Sequence, residues 1–336
     1  MGEGEGQCEA IATARAMGQN GHSFHAVRPD AFNYVWDNTI EPALEVNSGE
    51  VVDFTVRDAS DEQIQVNSTS EDVAKLDFEH VNPVSGPVYV KGARPGDVLA
   101  IEILEFRPRD WGWTALIPGF GLLADEFPEP WLRISRVEAE RRKVVFAEGI
   151  ELPYEPFPGT IGVAPTEVGP HSIVPPSRWG GNMDTKHLRA GTTLYLPVGV
   201  EGALFSVGDT HSAQGDGEVC GTAIETAMEV SLRLSVRRDF RIDAPQYRVP
   251  PGALPRAEGT GYHVSTGVAP DLMEATRGAV RATIEQLVDG HGLSREEAYA
   301  LCSVAVDLRI HEVVDAPNWV VGAFLPDDIF TGGGVR

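Results

Sequence analysis

The segment from Gly208 to Glu225, GDTHSAQGDGEVCGTAIE, crowds Asp209, His211, Glu218, Cys220 and Glu225 into a span with no long apolar run. Asp209 and His211 stand two apart. On an extended strand, residues i and i+2 share a face, so this pair is placed to bind one ion or polarise one water. Gly215 and Gly217 allow a tight turn where a Cβ would clash, and Glu218 follows at once. Glu225 comes seven residues after Glu218. On a regular strand those two glutamates face opposite sides, so both serve one site only if a bulge, such as one at Gly221, intervenes.

Other polar groups lie upstream. His80-Val81-Asn82-Pro83 and Gly180-Gly181-Asn182-Met183-Asp184-Thr185-Lys186-His187 each mix amide, acid and imidazole side chains. Asp184 reads either as a ligand or as a turn residue whose side chain caps its own loop. His171 and His187 read as loop histidines.

The elements that must position these groups are mostly strands. Val51–Val56, 86–90 and 98–104 are β-rich, with Pro95-Gly96-Asp97 as the turn between the last two. Residues 107–133, rich in Trp, Gly and Pro, read as a long loop. Strands are expected over 133–147, and long β runs over 192–207 and 219–237. Pro at 153, 156, 158, 165, 170, 175 and 176 excludes long helices there. Helix enters late. Apolar residues at helical spacing run from Asp271, a candidate cap, to a stop at Gly290. Ser294 and Glu297 form a capping-box pattern ahead of a second helix.

This pattern gives a mainly β chain with a small C-terminal α+β portion. The expected divisions are a mobile tail over 1–21, a β part over 22–150, a second β part carrying the motif over 151–250, and the α+β portion over 251–336. Fifty acidic against 27 basic residues leave a formal charge of −23. Such a surface repels nucleic acid and anionic membranes and suits neutral or cationic small ligands. Three cysteines make no disulfide framework. With neither a signal-like N-terminus nor a long apolar span, the expected location is the cytoplasm.

The run GGNMDTKHLRAGTTLYLPVGVEGALFSVGDTHSAQGDGEVCGTAIE closely resembles the signature region of the acetamidase/formamidase family. PVSGPVYVKGARPGDVLAIEI and DLRIHEVVDAPNWVVGAFLP are similar to its N- and C-terminal segments. The resemblance implies hydrolysis of a short aliphatic amide, such as formamide or acetamide, to a carboxylate and ammonia. It implies a jelly-roll-like β-sandwich with a barrel-like β part, a homo-oligomer, and a divalent metal, zinc first and calcium as the alternative.

An unactivated amide needs an activated nucleophile, a stabilised oxyanion and a proton for departing ammonia. On that chemistry Asp184, His211 and Glu225 are the expected metal ligands. Asp209 is a further ligand or orienting group in catalysis, and Glu218 is the general base. His80, Asn82 and Asn182 are expected to bind the amide. A rival places the nucleophile at Cys220, activated by Glu218 and Lys186. A second rival is a non-catalytic β-sandwich that holds a metal or a sugar. Ser212 departs from the small alanine common at its place in the family and leaves every candidate ligand intact.

Overall fold

The computed structural model describes residues 24–250, 261–312, 317 and 319–331. The 1–21 tail expected from the sequence lies outside them. Two six-stranded sheets form the bulk. One runs Phe24–Ala26, Glu50–Val56, Met228–Arg237, Val98–Pro108, Thr193–Pro197, Gln246–Arg248. The other runs Gly180–Asn182, Phe157–Val163, Phe205–His211, Val84–Lys91, Phe32–Asn33, with Leu44–Asn47 pairing parallel to Val84–Lys91. Both sheets therefore combine strands from before and after residue 150.

The two sheets face each other through an apolar layer in which the Phe54 and Phe205 rings meet edge to face, 5.7 Å apart. Every residue of Phe157–Val163 and of Phe205–His211 is buried, so both strands are covered on both faces. Such cover is what lets charged side chains at the strand end sit away from water. The chain is mainly β, as expected. Each strand order is an open path, so the implied barrel does not appear as a closed ring among the described strands.

A third sheet corrects the expected long loop over 107–133. Trp111–Leu116 pairs antiparallel with Trp131–Glu138, which continues to Lys143–Ala147 and Ile150–Pro153. The Gly in Trp-Gly-Trp marks a close approach rather than a turn. A Cβ on Gly112 would stand 2.6 Å from the Glu225 carbonyl oxygen and 2.4 Å from Thr226 Oγ1. Single bridges from Trp113 to Glu225 and from Glu225 to His211 stitch this sheet to the second one. The expected β run over 219–237 is likewise shortened, because the strand begins only at Met228.

The C-terminal portion packs helix Leu272–His291 on the antiparallel strands Tyr262–Ala269, Trp319–Pro326 and Asp307–Glu312. Asp271 caps the helix by accepting from Glu274 N at 3.0 Å. The helix stops at Gly292 rather than Gly290, since Gly292 takes the left-handed φ of 68°. Helix Arg295–Ala305 starts with the expected box, Ser294 and Glu297 bonding each other's backbone at 3.1 Å. No helix among the described residues is long and apolar enough to cross a membrane.

Candidate active site

The polar motif sits where the second and third sheets meet. Phe157 lies opposite His211 and Thr160 opposite Gly208. Asp209 Oδ1 and Glu225 Oε2 each stand 3.1 Å from His211 Nε2. The i, i+2 expectation for Asp209 and His211 therefore holds, even though Asp209 takes a left-handed φ of 53°. After His211 the chain leaves the sheet. Gly217 (φ 104°), Glu218 (φ 42°) and Gly221 (φ 88°) turn it back, with Gly221 N donating to the Glu218 carbonyl at 2.8 Å. The parity conflict between Glu218 and Glu225 disappears, because residues between them are turn and not strand.

The loop is clamped from behind by helix Arg295–Ala305. Gly215 N donates to the Ser303 carbonyl at 2.8 Å, Cys220 N to Ser303 Oγ at 3.1 Å, and Tyr299 Oη to the Val219 carbonyl at 2.5 Å. A Cβ on Gly215 would stand 2.1 Å from the Val306 carbonyl oxygen, so only glycine admits this docking.

Asp184, held at φ 47°, comes from the loop after Gly180–Asn182. Asp184, His211 and Glu218 offer ligand atoms within 4.8 Å of one another, and so do Asp209, His211 and Glu225. Asp184 Oδ1 is buried with no hydrogen-bond partner, and buried Glu225 Oε2 meets only the His211 Nε2 that Asp209 also faces. Gly159 roofs the group: a Cβ there would meet Asp184 Oδ1 at 2.6 Å, His211 Cε1 at 2.7 Å and Asp209 Oδ2 at 2.9 Å. On its far side His211 Nδ1 lies 2.8 Å from Gln214 Oε1, and Gln214 Nε2 donates to the Asp184 carbonyl at 2.9 Å.

Crowding four carboxyls round one imidazole in a buried place displaces their proton affinities. Burial pushes Glu225 up to about 8, and burial with the Asp209 charge pushes Asp184 up to about 6. Glu218 is held well above the usual carboxylate range, first by burial and then by Asp184. Burial also works against ionised Asp209, but the His211 charge and hydrogen bonds hold it low. Burial opposes the charged form of His211, and the Glu225 and Asp209 carboxylates outweigh it and raise the imidazole.

Beside Asp209, Thr160 Oγ1 donates to Asn182 Oδ1 at 2.7 Å, and Asn82 Nδ2 donates to the same oxygen at 3.3 Å. Asn82 is held at φ 52°. Asn82 and Asn182 thus join the group, whereas His80 is tied elsewhere. Its Nδ1 meets Asp77 Oδ2 at 2.7 Å, its ring meets Tyr34 edge-on, and its side chain is 56% exposed. Lys186 is turned to Asp307 and Asp216. The Cys220 thiol faces the Ala115 carbonyl at 3.5 Å, is fully buried, and is pushed up to about 11 by that burial. The structure offers no activated thiolate there. His171 Nε2 lies 3.1 Å from the Glu167 carbonyl, and the His187 ring stacks on Tyr247. Ser212 is buried and donates to Thr226 Oγ1 at 2.9 Å.

Sequence reasoning missed Gly159, Thr160 and Gln214. Gln214 lay in plain view, three residues after His211. Gly159 and Thr160 follow a proline in an apolar run, and only strand pairing reveals that they border the motif.

A model of the acetamidase/formamidase family matches residues 22–172 and 169–332. A formamidase of Methylophilus methylotrophus is 26% identical over 364 residues, covering 88% of each chain. Among solved structures, a gamma lactamase from Delftia acidovorans has a TM-score of 0.83 at 27% identity, covering 89% of each chain. An acetamidase from Bacillus halodurans has a TM-score of 0.62 at 33% identity, covering 90% of this chain and 97% of that one.

Proposed function

We propose that this chain, which belongs to the acetamidase/formamidase family, cleaves a small amide at the His211 cluster, with a divalent cation and with Glu218 as general base. The chain is a hydrolase acting on amide C–N bonds. The observation that carries the cation is a set of buried carboxylate oxygens short of partners around His211: Asp184 Oδ1 has none, and Glu225 Oε2 and Asp209 Oδ1 share the one His211 Nε2. Buried carboxylate oxygens short of partners are costly, and a cation satisfies them together. The glycine at 159 leaves the space open, and the donor set is one imidazole with carboxylates. The histidine favours zinc, while the carboxylate-rich remainder also admits calcium.

Asp184, His211 and Glu225 would hold the ion, with Asp209 beside them. A divalent cation bound there would polarise the amide carbonyl and lower the pKa of a water to about 7. Glu218, whose proton affinity burial and Asp184 raise, is suited to take the proton from that water and pass it to the departing nitrogen. Asn182 has its oxygen occupied by Thr160 and Asn82, which leaves its NH2 group as a donor for the amide oxygen. The neutral substrate and the ammonium product suit a strongly acidic surface, which repels the carboxylate product.

One observation favours a second substrate reading within the same chemistry. The gamma lactamase has the higher TM-score, 0.83 against 0.62 for the acetamidase. A five-membered lactam therefore belongs beside formamide and acetamide as a test substrate. The test is turnover of all three by purified protein, before and after chelation, then after zinc is returned. Loss on chelation and recovery with zinc is the expected result. Turnover untouched by a chelator that strips all bound metal overturns the cation reading.

A further inference from the structure

We propose that Gln214 is a positioning residue that keeps the His211 ring as its Nδ1–H tautomer, so that the Nε2 lone pair faces the cation site. The inference rests on the cation reading above and concerns one decision that reading leaves open. Imidazole can bind a cation through Nε2 only if its proton is on Nδ1. The carboxylates around His211 push the other way. Asp209 Oδ1 and Glu225 Oε2, both acceptors 3.1 Å from Nε2, favour a proton on that nitrogen. Left to them alone, a neutral ring would present N–H to the site and not a lone pair.

Gln214 supplies the opposing pull. Its side chain is 7% exposed, and its amide has only one orientation that satisfies both ends. The NH2 group donates to the Asp184 carbonyl at 2.9 Å, which places Oε1 against His211 Nδ1 at 2.8 Å. The flipped amide would set two oxygens against each other at Asp184. An amide oxygen only accepts, so Nδ1 must carry the hydrogen. The same side chain grips the backbone of Asp184 at its left-handed position, and Asp184 N is held in turn by the Gly159 carbonyl at 3.2 Å. One residue therefore ties the orientation of the ring to the place of another expected ligand. Partners of this kind behind a metal-binding histidine change affinity by about 10–100-fold when lost.

The test uses the full chain with zinc alone as probe, comparing wild type with Gln214→Met and Gln214→Glu. Methionine matches the length but neither accepts at Nδ1 nor donates to Asp184. Glutamate keeps the acceptor and loses the donor. Zinc affinity is measured by competition with a chromophoric chelator. The His211 Nδ1–H is followed by 1H–15N correlation in 15N-histidine protein, with His211→Asn to assign it. Gln214→Met is expected to lose about 10–100-fold in zinc affinity and to lose or unprotect the Nδ1–H. Gln214→Glu, which keeps the acceptor but sets an oxygen against the Asp184 carbonyl, is expected to lose less zinc affinity than Gln214→Met and to keep that proton.

Equal losses in both variants would mean that the acceptor at Nδ1 is not the cause, and the inference falls. It falls also if Gln214→Met retains both the affinity and the protected Nδ1–H. If wild type binds no zinc, the cation reading fails by itself, and the Nδ1–H comparison in metal-free protein, made at a pH high enough for the His211 ring to be neutral, still decides the role of Gln214. Should Gln214→Met not fold, Gln214→Asn, which withdraws the oxygen by one methylene, carries the same two measurements.

Discussion

Adding one methyl group at Gly159 tests whether the cluster around His211 works as a unit. Gly159 does not use the left-handed region, so alanine suits its backbone and the effect must come from the side chain alone. The new Cβ would lie 2.6 Å from Asp184 Oδ1, 2.7 Å from His211 Cε1 and 2.9 Å from Asp209 Oδ2, where ordinary contact begins at 3.4 Å. Each group must retreat by about 0.5–0.8 Å to restore that contact. Gly208 and Asp209 sit in a strand that is buried throughout, so the retreat falls on side chains and on the Asp184 loop. Misplacement by about 1 Å costs on the order of 10²-fold in rate.

Overpacking costs about 1–3 kcal/mol, offset by about 0.4–1 kcal/mol from the stiffer unfolded chain. Gly159→Ala is therefore expected to lose about 10²-fold in kcat/KM while Tm falls by only a few degrees. The assay is steady-state amide turnover beside calorimetry on the same preparation. A variant within about threefold of wild-type kcat/KM would refute the placement of Asp184, Asp209 and His211 in the working site. Unchanged zinc stoichiometry together with lost turnover would locate the damage in the chemistry and not in ion capture.

Glu218→Gln should lower kcat by about 10²–10⁴-fold with little change in KM, and should not lower Tm, because burial already disfavours the ionised carboxyl; wild-type turnover would remove Glu218 as the base. Cys220→Ala should leave turnover within about threefold, and iodoacetamide should not inactivate native protein, because the thiol is buried and pushed up to about 11; loss of turnover in a folded Cys220→Ala protein would restore the thiol mechanism. Asp58 gives a pH prediction. Burial raises its carboxyl above the usual 3.8, against hydrogen bonds from Ser60 and Trp113. The native state then holds a proton that the unfolded chain releases, so stability is fullest below 3.8 and is lost as pH rises through the folded value. Asp58→Asn, which does not titrate, should gain in Tm relative to wild type as pH rises from acid to neutral; a gap that is constant with pH would refute this.

How far the sequence could be read depended on whether a residue's role was local. The caps of the late helices, Asp271 and Ser294 with Glu297, were legible because the bonding partners lie within three residues. So was the Asp209–His211 pair, since strand parity needs no tertiary information. Trp111–Leu116 was not legible as a strand. Its Gly112 is required by the passage of Glu225 and Thr226, more than a hundred residues away. His80 was misjudged for the opposite reason. Its neighbour Asn82 turns into the site, but Asp77, three residues before His80, holds the imidazole at the surface.

The backbone around the site adds a signal that composition hides. Asn82, Asp184, Asp209 and Glu218 all take left-handed φ values, between 42° and 53°. Asparagine and aspartate tolerate that region better than most residues, and glutamate does so less well. Each such residue costs on the order of 1–3 kcal/mol where the surroundings must enforce it. A scaffold has no need to pay that four times within one group of contacts. What the strain achieves is direction: it turns carboxylates and an amide from three separate segments toward one imidazole, at the seam of two sheets. The restraints that hold it are also visible, namely the Gly159 carbonyl and Gln214 on Asp184, and helix Arg295–Ala305 behind the Glu218 turn. Relaxing any one of them should therefore cost more in rate than in stability, because each of these restraints acts on where a ligand or base points and not on the apolar layer between the sheets.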